Sequence, residues 1–463
     1  MKCLGVVITD GVGFRNFILT DFLTEAQKKF DRVVIFSCLP KSTYEELSVS
    51  CEVVELEVFT EQFKHWFFRK AKETAHLQLH RKSNFGIQDN FALNNATALT
   101  TRGIATRLII NFTRFFHSEK WILRFNTWQQ HSFARHSITQ SYCKLLQEYG
   151  ITQLFFTHQR PPYVAPLIYA AERLAIKTST FIFSWDNLAS KGRMAGNFDF
   201  FLVWSSLMQK ELLHFYSSVK SHQVAVVGTP QFEPYVLDRY GYSKEVLCQK
   251  FNLNPEYPII LFTCNDSTSK NDPLYLEQLA RFIQNNELVK SVNLIVRTSP
   301  AEEPLRFKKL SEMFPFIRWN YPSWENKRSN HQEQWSQRVP SATDLSDLKA
   351  LLMHSDLNIN VLSTITLDAC LFDKPVINPV FGNPQNGMFD DQKFLNYEHL
   401  KHMVNSHCSH IVKDKETFLK TLNEMLSGSD GQNEQRKAFV DLEIGLPLHG
   451  TSARIAETLY QWS

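Results

Sequence analysis

Residues 361–381 read VLSTITLDACLFDKPVINPVF. Ser363 and Thr364 follow the apolar run LNINV, so they fall on the turn that leads from a strand into a helix. The start of a helix offers unpaired N–H groups to an anion, and in a parallel α/β sheet ligands bind beyond the carboxyl ends of the strands. Asp368 lies one turn into the same helix, where a carboxylate accepts hydrogen bonds from sugar hydroxyls while the turn holds phosphates. A hydroxyl pair, a helix start and a lone carboxylate together suit a nucleotide. The competing reading is a capping serine with an incidental aspartate on an exposed face. Arg297 ends the run LIVRT, and its guanidinium fork matches diphosphate oxygens. The alternative there is a surface salt bridge to Glu302 or Glu303.

Such groups need strands and helix starts to hold them. LGVVITD (4–10), RVVIFSC (32–38), CEVVELEV (51–58), QLFFTH (153–158), TSTFIFSW (178–185), FDFFLVW (198–204) and QVAVVG (223–228) read as one series of strands. FILTDFLTEAQKKF reads as a helix between the first two. A second series follows a polar, turn-rich stretch at 229–256: YPIILFTC (257–264), VNLIVRT (292–298), FIRWN (316–320), LNINV (357–361) and PVINPVF (375–381). Continuous apolar strands separated by helical patterns imply parallel sheets covered on both faces. Two series predict an α/β fold of two Rossmann-like domains facing across a cleft, which also suits a chain of 463 residues.

Hydrophobic residues at 43% and charged residues at 21% are those of an ordinary globular protein, and a net charge of +3 decides little about partners. The eight cysteines are scattered without CxxC spacing, as expected for reduced thiols in a cytoplasm. Asp10 interrupts the first apolar run, which reads as a strand rather than a signal peptide. No apolar stretch reaches the length that spans a bilayer.

TLDACLFDKPVI resembles the acidic-Ala and Pro-Val signature in the C-terminal domain of GT-B glycosyltransferases, with Asp368, Ala369, Pro375 and Val376 at the matching positions. Asp373 stands where that pattern commonly has glycine. TFIFSWDNLASKGRM (180–194), FDFFLVWSSLMQKELLHFY, VAVVGTPQFEPY and the closing HGTSARIAETL resemble further stretches of bacterial surface-carbohydrate enzymes of this fold, with Glu233 replacing a usual aspartate. The resemblance implies an acceptor domain at 1–235, a nucleotide-sugar donor domain at 236–450, and a C-terminal helix at 451–463 packing back on the first domain. It gives Asp368 the donor ribose, and places Asn265 and Ser267 near the donor phosphates with Arg297, Ser363 and Thr364. It needs no cofactor, and neither a DxD motif nor a zinc-like cluster is present.

Sugar transfer of the inverting kind requires a base for the acceptor hydroxyl. Asp10, Asp186 and His158 each end a first-domain strand; the two carboxylates lead, neither ahead of the other, and His158 comes third. Asp10 as a helix cap, Asp186 in an Asx-turn with Asn187 and His158 as a plain loop residue are the competing readings. Gly11, Gly13, Arg15 and Asn16 of the GVGFRN turn, with Trp185, Asn187 and Lys191, are the expected acceptor-side loop residues. GVGFRN lacks the spacing of a dinucleotide fingerprint.

Between the third strand and QLFFTH lies an insertion, about 60–136, with twelve Lys and Arg against four Asp and Glu, interleaved with Phe and Trp. That composition suits the face of a helical insertion that meets anionic lipid or a lipid-linked acceptor; a basic outer face on a buried subdomain is the plainer reading. No nucleic-acid-binding signature accompanies it. The expected partners are therefore a nucleotide-sugar donor and a glycan or lipid-linked acceptor, with a cytoplasmic location that extends to peripheral contact with the membrane. A UDP-GlcNAc 2-epimerase, a polyol-phosphate transferase and a non-catalytic glycan- or partner-binding module are the alternatives.

Overall fold

Each apolar run becomes a parallel strand in the computed structural model, which describes residues 1–47, 49–95 and 98–463; residues 96 and 97 of the insertion lie outside that description. By contact the chain divides into two units, one comprising 1–233, 326–339 and 443–463, the other 234–325 and 340–442.

The first unit is built on β1 (Cys3–Ile8), β2 (Arg32–Ser37), β3 (Glu52–Glu55), β4 (Gln153–Phe156), β5 (Lys177–Phe181), β6 (Phe200–Val203) and β7 (Val224–Val226). They form one sheet in the order β3-β2-β1-β4-β5-β6-β7. β1 and β4 are buried throughout, as strands covered on both faces must be. The chain winds outward in one direction from β1 to β3 and in the other from β4 to β7, so the topological switch lies between β1 and β4. Their register pairs Val7 with Phe156, which brings the residues just past both strands to the same place.

The helix expected from Phe17 to Phe30 is two helices, Gly11–Phe17 and Phe22–Lys29. Asp10 causes the early start: its side chain accepts from the N–H groups of Val12 and Gly13 and caps the first. The insertion is helical, with Phe63–His80, Phe85–Leu93, Thr101–Thr113 and Glu119–Phe133. Ala71 and Ala75 of the first helix pack with Ile109, Ile122 and Phe125, small residues allowing close approach. The C-terminal helix Thr451–Trp462 belongs to this unit. Glu233 accepts from the Ser452 N–H at 2.9 Å, and Trp462 stacks on Phe200 with ring centroids 4.6 Å apart.

After β8 (Ile259–Thr263), β9 (Asn293–Arg297) and β10 (Arg318–Asn320) of the second unit, a short hairpin of β11 (Trp324–Asn326) and β12 (Arg338–Pro340) bounds the 326–339 segment that belongs to the first, and β13 (Leu357–Ile359), β14 (Val376–Pro379) and β15 (His410–Val412) follow in the second. The parallel sheet runs β10-β9-β8-β13-β14-β15, with its switch between β8 and β13. Neither the hairpin nor β15 stands out in the sequence, because strands of three residues carry too little periodicity. Asp373 has φ +52°, the left-handed conformation that explains glycine at this point in similar patterns. Aspartate tolerates that conformation, and here its carboxylate also takes the Arg436 guanidinium at 2.7 Å.

Candidate functional site

At the switch of the first sheet, four donors meet the Asp10 carboxylate. Oδ1 accepts from the N–H groups of Val12 at 3.0 Å and Gly13 at 2.8 Å; Oδ2 accepts from the Thr9 hydroxyl at 2.9 Å and from His158 Nδ1 at 2.8 Å. These contacts use both oxygens fully. Burial alone would push the carboxyl up, but the imidazole, the Gly13 N–H and the Thr9 hydroxyl hold it below its ordinary range. Asp10 is therefore an ionised acceptor, and Nδ1 of His158 must be the donor. Burial holds the imidazole itself below its ordinary value despite Asp10, so the ring is neutral near pH 7. With its proton on Nδ1, Nε2 presents a lone pair, and that buried atom has no hydrogen-bond partner. The ring is stacked on Phe183, centroids 3.8 Å apart, which fixes its plane.

The structure thus brings Asp10 and His158 together and places Asp186 differently. Asp186 follows β5, starts the helix Asn187–Ser190, accepts from Asn187 Nδ2 at 3.1 Å and lies 3.3 Å from Lys191 Nζ. Asn187 in turn accepts from Gln159 Nε2 at 2.9 Å, linking this loop to the one that carries His158. Trp185 is buried, and Arg15 donates to its neighbour Asn16 at 3.1 Å. Gly13 is needed for close approach, since a Cβ there would sit 2.6 Å from the Thr157 hydroxyl.

The residues between β11 and β12 complete this corner of the first unit. A Cβ on Gly11 would lie 1.6 Å from the Arg338 carbonyl oxygen, so the backbone of this segment packs directly on the helix that Asp10 caps. His331 meets the ring of Tyr163, whose hydroxyl donates to the Thr9 carbonyl at 2.9 Å. The Trp335 ring, 43% exposed, is centred 6.5 Å from the His158 ring. These residues were missed in the sequence, where the polar run NHQEQW resembles any surface loop. A surface cavity of about 330 Å³ lined by Lys177, Thr178 and Asp199 opens where β5 begins, at the opposite end of that strand from the loop that carries Asp186.

In the second unit the loops after β8 and β13 are neighbours, tied by Asn265 Nδ2 donating to the Val361 carbonyl at 2.6 Å. The side chains of Ser267, Ser363 and Thr364 lie at or near the surface of these loops, while Asn360 Oδ1 accepts from the Ser363 N–H at 2.9 Å. Asp368 is buried in the first turn of Ile365–Leu371 and accepts from the Tyr235 hydroxyl. Arg297 is committed elsewhere: its guanidinium holds Asp344 at 2.9 and 3.0 Å and also bonds Asn320. Glu302, one of the two partners weighed for it, pairs instead with Arg306 at 2.8 Å. Arg306 donates to the carbonyls of Ser269 at 2.6 Å and Asp266 at 3.0 Å, while Asp272 accepts from the Asn265 N–H at 2.7 Å. Burial pushes Asp272 up to about 7. Arg306 and Asp272 brace the loop from within. Among the described residues no group of three or more His, Cys, Asp or Glu side chains could hold a metal ion.

No family model and no curated protein matches the sequence. Solved structures do match. A putative UDP-N-acetylglucosamine 2-epimerase from Listeria monocytogenes aligns over 100% of this chain and 97% of its own, with a TM-score of 0.57 and 9% identity. The UDP-GlcNAc 2-epimerase from Methanocaldococcus jannaschii aligns over 100% of both chains at 0.55 and 12%. A glycosyltransferase from Rickettsia africae aligns over 100% and 98% at 0.52 and 13%. Both sheets lie within these alignments. The chain has the GT-B fold. At such identities the likeness is one of architecture.

Proposed function

We propose that this GT-B protein is a glycosyltransferase that moves a sugar from a nucleotide donor to a hydroxyl of a glycan or lipid-linked acceptor in surface-glycan assembly. The second unit would hold the donor, with Ser267, Ser363 and Thr364 near its phosphates and Asp368 at its ribose; the first unit supplies the base. The observation that carries the reading is the Asp10–His158 pair, a neutral imidazole oriented by a fully bonded carboxylate with Nε2 left basic. Nε2 takes the proton of the acceptor hydroxyl as the new bond to the anomeric carbon forms. The bond from that carbon to the diphosphate breaks, and the nucleoside diphosphate leaves. Asp10 keeps the tautomer and favours the imidazolium as it forms. In this role Asp186, bonded to Asn187 and Lys191, shapes the neighbouring acceptor loop. Arg297 acts through the second unit's packing.

The same lone pair suits removal of a proton from carbon, so a nucleotide-sugar 2-epimerase is the second reading, one that the enzymes of this fold from Listeria and Methanocaldococcus perform by name. Incubating the protein with UDP-, GDP- and CDP-sugars in D2O separates the two. Acceptor-dependent release of nucleoside diphosphate supports transfer; deuterium at C2 of the recovered sugar supports epimerisation; neither, with any donor, refutes both.

The composition of the insertion supports an acceptor that is reached at a membrane surface. Along Thr101–Thr113 and just beyond it, Ile104, Leu108, Phe112 and Phe115 recur at helical spacing, 47%, 62%, 45% and 78% exposed, while Ala105 and Ile109 fill the buried face. Exposed Arg102, Arg114, Lys120 and Arg124 accompany the stripe. An apolar ridge with basic flanks is the composition of a segment lying on anionic lipid. No helix among the described residues is long and apolar enough to cross a bilayer.

A further inference from the structure

The loop that carries His158 is tied down at nearly every polar side chain. The Thr157 hydroxyl donates to the Val7 carbonyl at 2.9 Å, and His158 donates to Asp10. Gln159 accepts from the Phe183 N–H at 3.1 Å and donates to Asn187 at 2.9 Å, while its carbonyl accepts from the Ala195 N–H at 2.9 Å. Pro161 and Pro162 follow, and the first restricts the backbone of Arg160 to extended conformations. One side chain in this rigid loop is left over, that of Arg160.

Arg160 is half-buried, and its Nε is fully shielded and without a partner. Its neighbours on the same unit behave otherwise. Arg69 holds Glu61 and Glu73 at 2.7 and 2.8 Å, and Arg193 holds Glu119 at 2.6 Å. Two carboxylates feel the Arg160 charge, Glu73 and Glu333, but neither is within ion-pair distance of it, and Glu73 is already bonded by Arg69. A partly desolvated guanidinium without an ion pair of its own gains from taking an anion, and on a loop otherwise tied down it is held ready for one.

Resting on the transferase reading, we propose that Arg160 is the anion-binding residue of the acceptor subsite, and that the acceptor carries a carboxylate or phosphate on or next to the sugar whose hydroxyl reacts. Two residues of extended chain span about 7 Å, so an anion gripped by Arg160 lies within roughly one monosaccharide of a hydroxyl at His158 Nε2. The exposed face of Trp335 supplies the apolar platform beside them. A planar five-donor fork prefers carboxylate and phosphate alike, and the test separates the two.

The probes are glucuronate, glucose 6-phosphate, glucose and UDP, with binding to the full chain followed by saturation-transfer NMR and calorimetry. The wild-type protein is expected to bind one or both anionic sugars and not glucose. Arg160→Gln should weaken that binding at least tenfold, Arg160→Lys by less, and both should leave UDP affinity unchanged. Glucuronate bound without glucose 6-phosphate names a uronic-acid acceptor, and the reverse names a phosphorylated one. Equal binding of glucose and the anionic sugars overturns the proposal, as does binding of none of them. Loss of UDP rather than sugar affinity in Arg160→Gln also overturns it, because the anion held is then the donor diphosphate. If no nucleotide binds while the anionic sugars do, the donor reading fails and the Arg160 assignment stands. A circular-dichroism melt of Arg160→Gln that matches the wild type keeps a folding defect out of the comparison.

Discussion

Replacing Asp10 by Asn removes one charge and changes one atom, yet it should reverse the imidazole. The asparagine carbonyl can take over Oδ1 and its bonds from Val12 and Gly13. The amide nitrogen then stands where Oδ2 was and donates to the Thr9 hydroxyl and to His158, whose Nδ1 must now accept. The ring proton moves to Nε2, and the base is lost. General-base catalysis is worth about 10²–10⁴-fold, or about 2.7–5.4 kcal/mol of barrier, and the turnover number should fall by that factor. Stability should change little, because the helix cap, worth about 1 kcal/mol, is retained. Two assays check this: initial rates of nucleoside diphosphate release, and nitrogen-15 NMR of the His158 tautomer, which needs no substrate. A variant with its proton on Nε2 and a rate within about threefold of wild type, well short of the general-base range, refutes the role of the pair.

Gly11→Ala forces a Cβ against the Arg338 carbonyl, so the 326–339 segment should be displaced, with activity lost and faster tryptic cleavage at Lys327 or Arg328; unchanged cleavage contradicts the packing. Arg297→Ala leaves Asp344, 4% exposed, without its counter-charge, which typically costs about 3–5 kcal/mol; urea unfolding should show it, and a weaker affinity for nucleotide at full stability would return Arg297 to the donor site. Burial holds His65 and His80 down at about 4 and His76 well below its ordinary value. Native histidines then bind fewer protons than unfolded ones, whose pKa is about 6.5, so stability is lost as pH falls from about 6.5 towards 4; the urea midpoint should drop over that window, and less so in His76→Leu. Phe112→Ser with Phe115→Ser should abolish co-sedimentation with anionic vesicles and leave turnover of a water-soluble acceptor intact; binding that persists removes the stripe from the membrane contact.

Local pattern carries a good part of this protein. Runs such as LGVVITD and YPIILFTC are apolar without alternation and too short for buried helices, which marks strands covered on both faces, so two parallel sheets were legible in the sequence. The hydroxyl pair at 363–364 and the carboxylate at Asp368 were legible too, because strand-to-helix spacing is local. Even the unusual Asp373 was visible, as the wrong residue for a left-handed position whose reason is backbone sterics.

What side chains meet is another matter. Asp10 and His158 are 148 residues apart and become partners because strand order sets β1 beside β4. Asp186, equally plausible as a carboxylate at a strand end, follows β5 and is taken by Lys191 and Asn187. Arg297 bonds Asp344, 47 residues away, while Arg306 claims the Glu302 that its nearness in sequence had suggested. The 326–339 segment leaves the second series of strands to pack on Gly11. Periodicity and caps act over a few residues and so are written in the sequence. The pairing of Asp10 with His158, the saturation of Arg297 and the lack of an ion pair on Arg160 depend on long-range meetings of charges in a packed interior, and only the tertiary structure decided them.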